Sequence, residues 1–302
     1  MRKPNTFIVG APKCGTTAMA AYLSDHENVF MSTPKEPNHF LYEDMPKKSN
    51  YPSLEQYLSI FSEATENHTV IAEASVWYLY SADAIKKISA FDSSAKIIAM
   101  LRRPDEMVYS MHSQALATMQ ENIADFDQAW ELSVSANKRT SYSKLCKEPR
   151  LLQYNEIAKY GEQLTNVVKH FPNNQVHIVF YEDFKSNTSL EYEKALQFLN
   201  LPQDGRQHFP TVNPNTQIRN EKAGAFLKKP PPGFMRVVNI VKKILGIEKL
   251  GIKDKLTNLN QKNTQRNALE DDIRIKIIKN YKYDIAILST LTNKDLTHWL
   301  NL

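Results

Sequence analysis

The stretch Phe7-Ile8-Val9-Gly10-Ala11-Pro12-Lys13-Cys14-Gly15-Thr16-Thr17 decides how the rest of the chain is read. Thr6 to Gly10 is a short apolar run rich in β-branched and aromatic residues, the pattern of a buried strand. Proline and glycine then force a tight loop, and from Thr16 to Ser24 the pattern turns helical. Strand, loop and helix N-terminus in succession aim backbone N–H groups and the positive end of a helix dipole at one point, which is a site for an anion and above all for a phosphate. The spacing Gly10 to Gly15 fits the nucleotide loop GxxxxGK[ST], but Thr16 stands where that loop has its lysine, and Lys13 lies two positions before Gly15. The usual magnesium-nucleotide arrangement is therefore broken.

Working outward, Val70 to Ala74, Lys96 to Leu101 and Val176 to Tyr181 repeat the strand pattern, each too short for a free-standing helix. Between them lie helical patterns at Pro104 to Met119, with proline in the first turn, Asp127 to Lys138, Leu151 to Phe171 and Ser189 to Leu199. A last helix runs from about Leu269 to Leu291, with Ile273, Ile277, Tyr281, Ile285 and Leu288 on one stripe, the spacing of a helix packed on a core. Apolar strands alternating with helices predict an α/β fold, a central parallel sheet flanked by helices. The strand Lys96 to Leu101 runs into Arg102 and Arg103, and no acid closes these strands in the usual metal-binding position. A nucleotide held by charge pairing and backbone amides, without a metal, is the expectation.

The chain has 302 residues, 42% apolar and 24% charged, with 8 Gly and 15 Pro. These values exclude collagen-like, low-complexity and disordered classes, and the expectation is a single domain over 1–302. No apolar run approaches the roughly 20 residues of a membrane helix, and the N-terminal residues turn polar too soon for a signal peptide, so a cytoplasmic protein is expected. Cys14 and Cys146 form neither a CxxC pair nor a disulfide framework. The net charge of +5 is concentrated: residues 228–255 hold eight Lys and Arg against two acids. That points to an anionic ligand, an acidic glycan or a membrane surface rather than to nucleic acid. The segment follows the hinge-like KKPPPGF at 228–234, and over 228–262 it reads as a basic lid-like or interaction insertion, with peripheral membrane contact and a packed helix as alternatives.

The loop PKCGTT resembles the 5′-phosphosulfate loop of sulfotransferases that use 3′-phosphoadenosine 5′-phosphosulfate (PAPS). Arg102-Arg103-Pro104 followed by Ser110 resembles that family's 3′-phosphate motif, in which an arginine ends a strand and a serine lies eight residues on. Strand ends and the first turns of the next helix converge on one crevice in such sheets, so Arg102 and Ser110 can grip one phosphate. Lys35-Glu36-Pro37 with His39-Phe40 is similar to the KEPxxF segment, and Tyr181-Glu182-Asp183-Phe184 to the YEDL strand end. The terminal Asp284, Leu288, Leu291, Asp295-Leu296 and Trp299-Leu300 resemble the close of many bacterial and carbohydrate sulfotransferases.

The resemblance implies a P-loop-like sulfotransferase fold and transfer of a sulfuryl group from PAPS to an acceptor hydroxyl of a carbohydrate, glycolipid or small metabolite. It implies Lys13 on the leaving oxygen and Glu36 as general base, with His39 as a rival base. Lys13, Cys14, Gly15, Thr16 and Thr17 would bind the 5′ side, Arg102 and Ser110 the 3′-phosphate, and Tyr181 would face the adenine. Departures are Ala18, where the cytosolic branch has a stacking Trp, and Glu73-Ala74-Ser75-Val76-Trp77-Tyr78, which is similar to EKSPxY but lacks its lysine and proline. The final cofactor loop is placed at Lys262 to Arg266. Alternatives are a P-loop nucleotide kinase and a non-catalytic nucleotide- or glycan-binding module.

Overall fold

The structure is a computed structural model; it describes residues 2–45, 49–135, 139, 141–212, 216–218, 261–263 and 268–301. Five parallel strands form the central sheet: β1 (Thr6–Gly10), β2 (Val29–Met31), β3 (Val70–Ala74), β4 (Lys96–Leu101) and β5 (Val176–Phe180), in the order β2-β3-β1-β4-β5. Every residue of β1 and β3 is buried, as befits strands covered on both faces. The helices of this sheet are α1 (Thr16–Ser24), α2 (Leu54–Ser59), α3 (Ala82–Phe91), α4 (Pro104–Ala117), α5 (Phe126–Val134), α6 (Tyr154–Ile157), α7 (Tyr160–His170), α8 (Tyr181–Ser186), α9 (Thr188–Leu199), α10 (Asp271–Thr292) and α11 (Thr297–Leu300). A small antiparallel pair, β6 (Thr216–Ile218) and β7 (Gln261–Asn263), stands apart from the main sheet.

The predicted α/β class and central parallel sheet are what the structure has, and the bounds of β1, β3 and β4 agree with the sequence reading. The stripe Ile273, Ile277, Tyr281, Ile285 and Leu288 is buried along α10. Two expectations need correction. Leu151 to Phe171 is not one helix: a 3₁₀ turn, the short α6 and α7 follow one another, because the start of α7 is capped from outside. The carboxylate of Asp284 on α10 accepts hydrogen bonds from the Gly161 and Glu162 N–H groups, at 2.8 and 2.9 Å, satisfying orphan donors that would otherwise have continued the preceding turn. Tyr181 likewise does not end the strand but begins α8. The hinge at 228–234, the basic stretch 228–255 and most of 228–262 lie outside the described residues, as do 264–266 of the suggested cofactor loop.

The connection leaving β1 runs toward β2 on one side of the sheet, and that leaving β4 runs toward β5 on the other. The carboxyl ends of the adjacent β1 and β4 therefore part, and a crevice opens where their loops diverge. No helix among the described residues is long and apolar enough to cross a membrane.

Candidate active site

A cleft of about 960 Å³ opens over the carboxyl ends of the strands. Each strand delivers a wall: Lys13, Gly15, Thr16 and Thr17 after β1, Lys35 and Glu36 after β2, Val76 and Trp77 after β3, Arg102 after β4 and Tyr181 after β5. Ser110, two turns into α4, faces the same space. Lys13, Glu36, Gly15, Thr16, Thr17, Arg102, Ser110 and Tyr181, all singled out in the sequence, thus share one crevice.

The loop after β1 is held in a conformation that few residues adopt. Lys13 has φ 62° and Gly15 φ 88°, both left-handed, so the chain turns sharply enough to point the first amides of α1 at the cleft. No side chain caps α1 at Gly15. An external anion is the natural partner for such amides. A Cβ built on Gly15 would stand 3.2 Å from Cδ2 of Tyr181, so glycine is what lets the loop close against that ring. Tyr181 also carries Arg102, whose guanidinium lies 4.7 Å from the ring centroid. One tyrosine therefore braces both anion-binding elements.

Arg102 reaches toward the Lys13 carbonyl at 3.5 Å and pairs with Glu106 at 2.8 Å. Glu106 in turn lies 3.6 Å from Arg274 on α10, which also approaches the buried Asp105 at 3.2 Å. Arg103 has a structural role: it clamps Asp105 through two hydrogen bonds, at 2.7 and 2.8 Å, and its N–H donates to Glu182. Nothing local in the sequence marks Arg274, since its link to the start of α4 joins elements about 170 residues apart. The terminal block also proves architectural. Trp299 packs edge-on against Phe180 at 5.7 Å, Lys294 pairs with Asp183, and Asp295 caps Thr297.

Cys14 needs correcting. Its side chain is wholly buried, its thiol donates to the Pro12 carbonyl at 3.3 Å and sits 3.8 Å from the Tyr160 hydroxyl, and it does not line the cleft. Burial pushes the thiol up to about 12, so it stays protonated and inert. Only the Cys14 main chain is left to meet an anion. His39, the rival base, is also turned away: Nδ1 lies 2.6 Å from the Tyr51 carbonyl, and the ring stacks on Tyr57 at 4.4 Å. Burial lowers its pKa, with the Tyr51 bond opposing.

Glu36 faces the cleft from a loop with φ 59° and pairs with Lys35 at 3.1 Å. Behind it lies an acid that sequence reading passed over. Glu73, near the end of β3, is completely buried and accepts hydrogen bonds from Tyr57 (2.6 Å), Tyr78 (2.9 Å) and Ser75 (2.6 Å). A lone acid in the apolar strand VIAEA was the available signal, because a buried carboxylate is costly unless partnered. An acid thus lies near the end of a strand beside β1, with its oxygens committed to these three hydroxyls. Burial raises its pKa to about 7; the three hydroxyls oppose that shift and the charge of Glu36 adds to it. The folded chain thus holds this proton more tightly than the unfolded chain, whose carboxyl titrates near 4.5. The resulting stabilisation is complete below about pH 4.5 and is lost as pH rises through about 7, on the order of 3 kcal/mol. Denaturant titrations across that window should show wild type losing stability on a slope that Glu73→Gln lacks; equal slopes would contradict the assignment.

A cleft at the switch point of a doubly wound sheet, lined by a tight glycine loop with an arginine beside it and a serine on the next helix, is the arrangement expected of a group-transfer protein that handles an anionic ligand. Comparison with known proteins gives the family. The sulfotransferase domain family model matches residues 3–266, and the chain belongs to that family. It is 27% identical over 201 residues to the bifunctional heparan sulfate N-deacetylase/N-sulfotransferase 1 of Caenorhabditis elegans, a match covering 66% of this chain and 22% of that protein. It is 28% identical over 247 residues to carbohydrate sulfotransferase 15 of Mus musculus, covering 66% and 44%. The chain thus spans less than half the length of these relatives. A sulfotransferase crystal structure from Alicyclobacillus acidocaldarius shares the fold, with a TM-score of 0.71 and 21% identity over 99% of both chains.

Proposed function

We propose that this protein transfers a sulfuryl group from PAPS to an acceptor hydroxyl, most naturally that of a carbohydrate. The observation that carries the reading is that Lys13, Glu36 and Arg102 open on one cleft, with the α1 amides beside the first and Ser110 beside the last. The dimensions and donors fit PAPS: a glycine loop tight enough to cradle one phosphate, and a preplaced guanidinium for another. The relatives, a heparan sulfate N-sulfotransferase and a carbohydrate sulfotransferase, support a carbohydrate as the acceptor.

When bound, PAPS supplies a sulfuryl group joined to its 5′-phosphate through a bridging oxygen. The amides of Gly15, Thr16 and Thr17 and the two threonine hydroxyls hold the 5′-phosphate. Arg102 and Ser110 hold the 3′-phosphate, and the Tyr181 ring keeps Arg102 in place while flanking the adenine. Lys13 would offer its ammonium to the negative charge that develops on the leaving group. Glu36 accepts the acceptor's proton as the acceptor oxygen bonds to sulfur. Positioning and electrostatics supply the catalysis, as in phosphoryl transfer.

Calorimetry with PAP, the desulfated product, and with magnesium-ATP is the first test. Binding of PAP is expected; binding of magnesium-ATP alone would replace this reading with a nucleotide kinase. Incubation with PAPS and a panel of neutral and acidic glycans, followed by mass spectrometry, should show the gain of one sulfate, and PAP binding without any sulfated product would leave only a nucleotide-binding module. Arg102→Ala should weaken PAP binding about 100-fold, the loss of a pair of charge-assisted hydrogen bonds. An unchanged dissociation constant would remove Arg102 from the site.

A further inference from the structure

We propose that Glu73 is a positioning residue that fixes the loop carrying Glu36, acting through two hydroxyl groups whose hydrogen bonds it accepts; this rests on the reading of Glu36 as the base. Ser75 and Tyr78 each have a single hydroxyl proton, and both protons point at Glu73, to Oε2 at 2.6 Å and Oε1 at 2.9 Å. Only lone pairs then remain to face the loop. Ser75 Oγ accepts the Asn38 N–H at 3.1 Å, and Tyr78 Oη accepts the Phe40 N–H at 3.4 Å. The Glu36 N–H itself donates to the Ala74 carbonyl at 3.1 Å. Alternate amides of the loop, at 36, 38 and 40, therefore hang from the end of β3, and two of the three hang through oxygens that Glu73 orients.

The loop needs such anchoring. Glu36 and Asn38 both occupy the left-handed region, at φ 59° and 54°, which side-chain-bearing residues keep only where their surroundings over-determine it. Glu73 makes no ion pair among the described residues, so its carboxylate is not there to neutralise a cation. Tyr57 completes its coordination at 2.6 Å without touching a loop amide. Replacing one carboxylate oxygen with an amide nitrogen reverses the direction of a hydrogen bond: a hydroxyl that donated must now accept, and its own proton, no longer held by the carboxylate, is free to turn toward the loop amide that the oxygen accepted from.

Amide hydrogen exchange on the full chain tests this independently of any substrate. Glu73→Gln should speed exchange by about tenfold, the equivalent of one ordinary hydrogen bond, at Asn38 if the amide nitrogen takes the place of Oε2 or at Phe40 if it takes the place of Oε1, with the amides of β1 and α1 unchanged. Ser75→Ala should release Asn38 alone and Tyr78→Phe should release Phe40 alone, whereas Tyr57→Phe should leave both within about twofold. With an acceptor from the glycan panel, Glu73→Gln should lower kcat by up to about 100-fold at unchanged KM for PAPS, as a base displaced by a fraction of an ångström would. Unchanged exchange at 38 and 40 in all three loop variants overturns the proposal, and so does faster exchange spread evenly over β3 and the core, which is the mark of a purely structural carboxylate. If the two amides respond as expected while wild type neither binds PAP nor sulfates any acceptor, the positioning stands and the sulfotransferase reading alone falls.

Discussion

Glu36→Gln is expected to lower kcat by roughly 10²- to 10⁴-fold while the dissociation constant for PAP stays within about twofold. The amide keeps the size and hydrogen-bonding reach of the carboxylate but cannot take a proton at neutral pH. Glu36 stands on the loop after β2, whereas the anion-binding groups come from the loops after β1 and β4, so removing its charge should spare cofactor binding. Its ion pair with Lys35 is partly exposed and contributes little to stability, which keeps the test clean. Single-turnover measurement of labelled sulfate on an acceptor from the glycan panel reads the step directly. A collapse of PAP binding with transfer per bound cofactor intact would make Glu36 a binding group and transfer the base role elsewhere.

Lys13→Ala should reduce kcat by about 10²- to 10³-fold, the cost of losing one donor aimed at developing charge. The residue sits at φ 62° on the turn between β1 and α1, half-buried and lining the cleft. Alanine meets the same backbone restriction as lysine there, and the fold should survive; a thermal melt close to wild type would establish that. PAP affinity should fall less than turnover, because the α1 amides and Arg102 remain. Equal losses in affinity and turnover would mean that Lys13 binds both states alike and gives no differential stabilisation of the transition state.

The phosphate loop was legible because its information is local. Gly10, Pro12 and Gly15 fix a backbone path within a few residues, and the apolar run before them and the helical pattern after them need no partner to be recognised. Arg102 and Ser110 were legible for the same reason, since a strand end and the next two helical turns are neighbours in sequence as well as in space. The direction of the Cys14 side chain was not legible, because adjacency to a loop says nothing about direction: successive side chains on a tight turn point apart, and this one enters the core against Tyr160. The break before α7 was invisible because its cap, Asp284, is supplied from α10, more than 120 residues away.

From the sequence alone came the parallel α/β class, the tight loop between β1 and α1, and most of the residues that line one cleft. Only tertiary structure decided that His39 is turned toward Tyr51, that Tyr181 supports Arg102, and that Glu73 anchors the loop of Glu36. The physical reason is range. Turn geometry and hydrophobic period act over a few bonds, whereas the direction of a buried hydrogen bond is set by whichever distant groups the fold brings within about 3 Å.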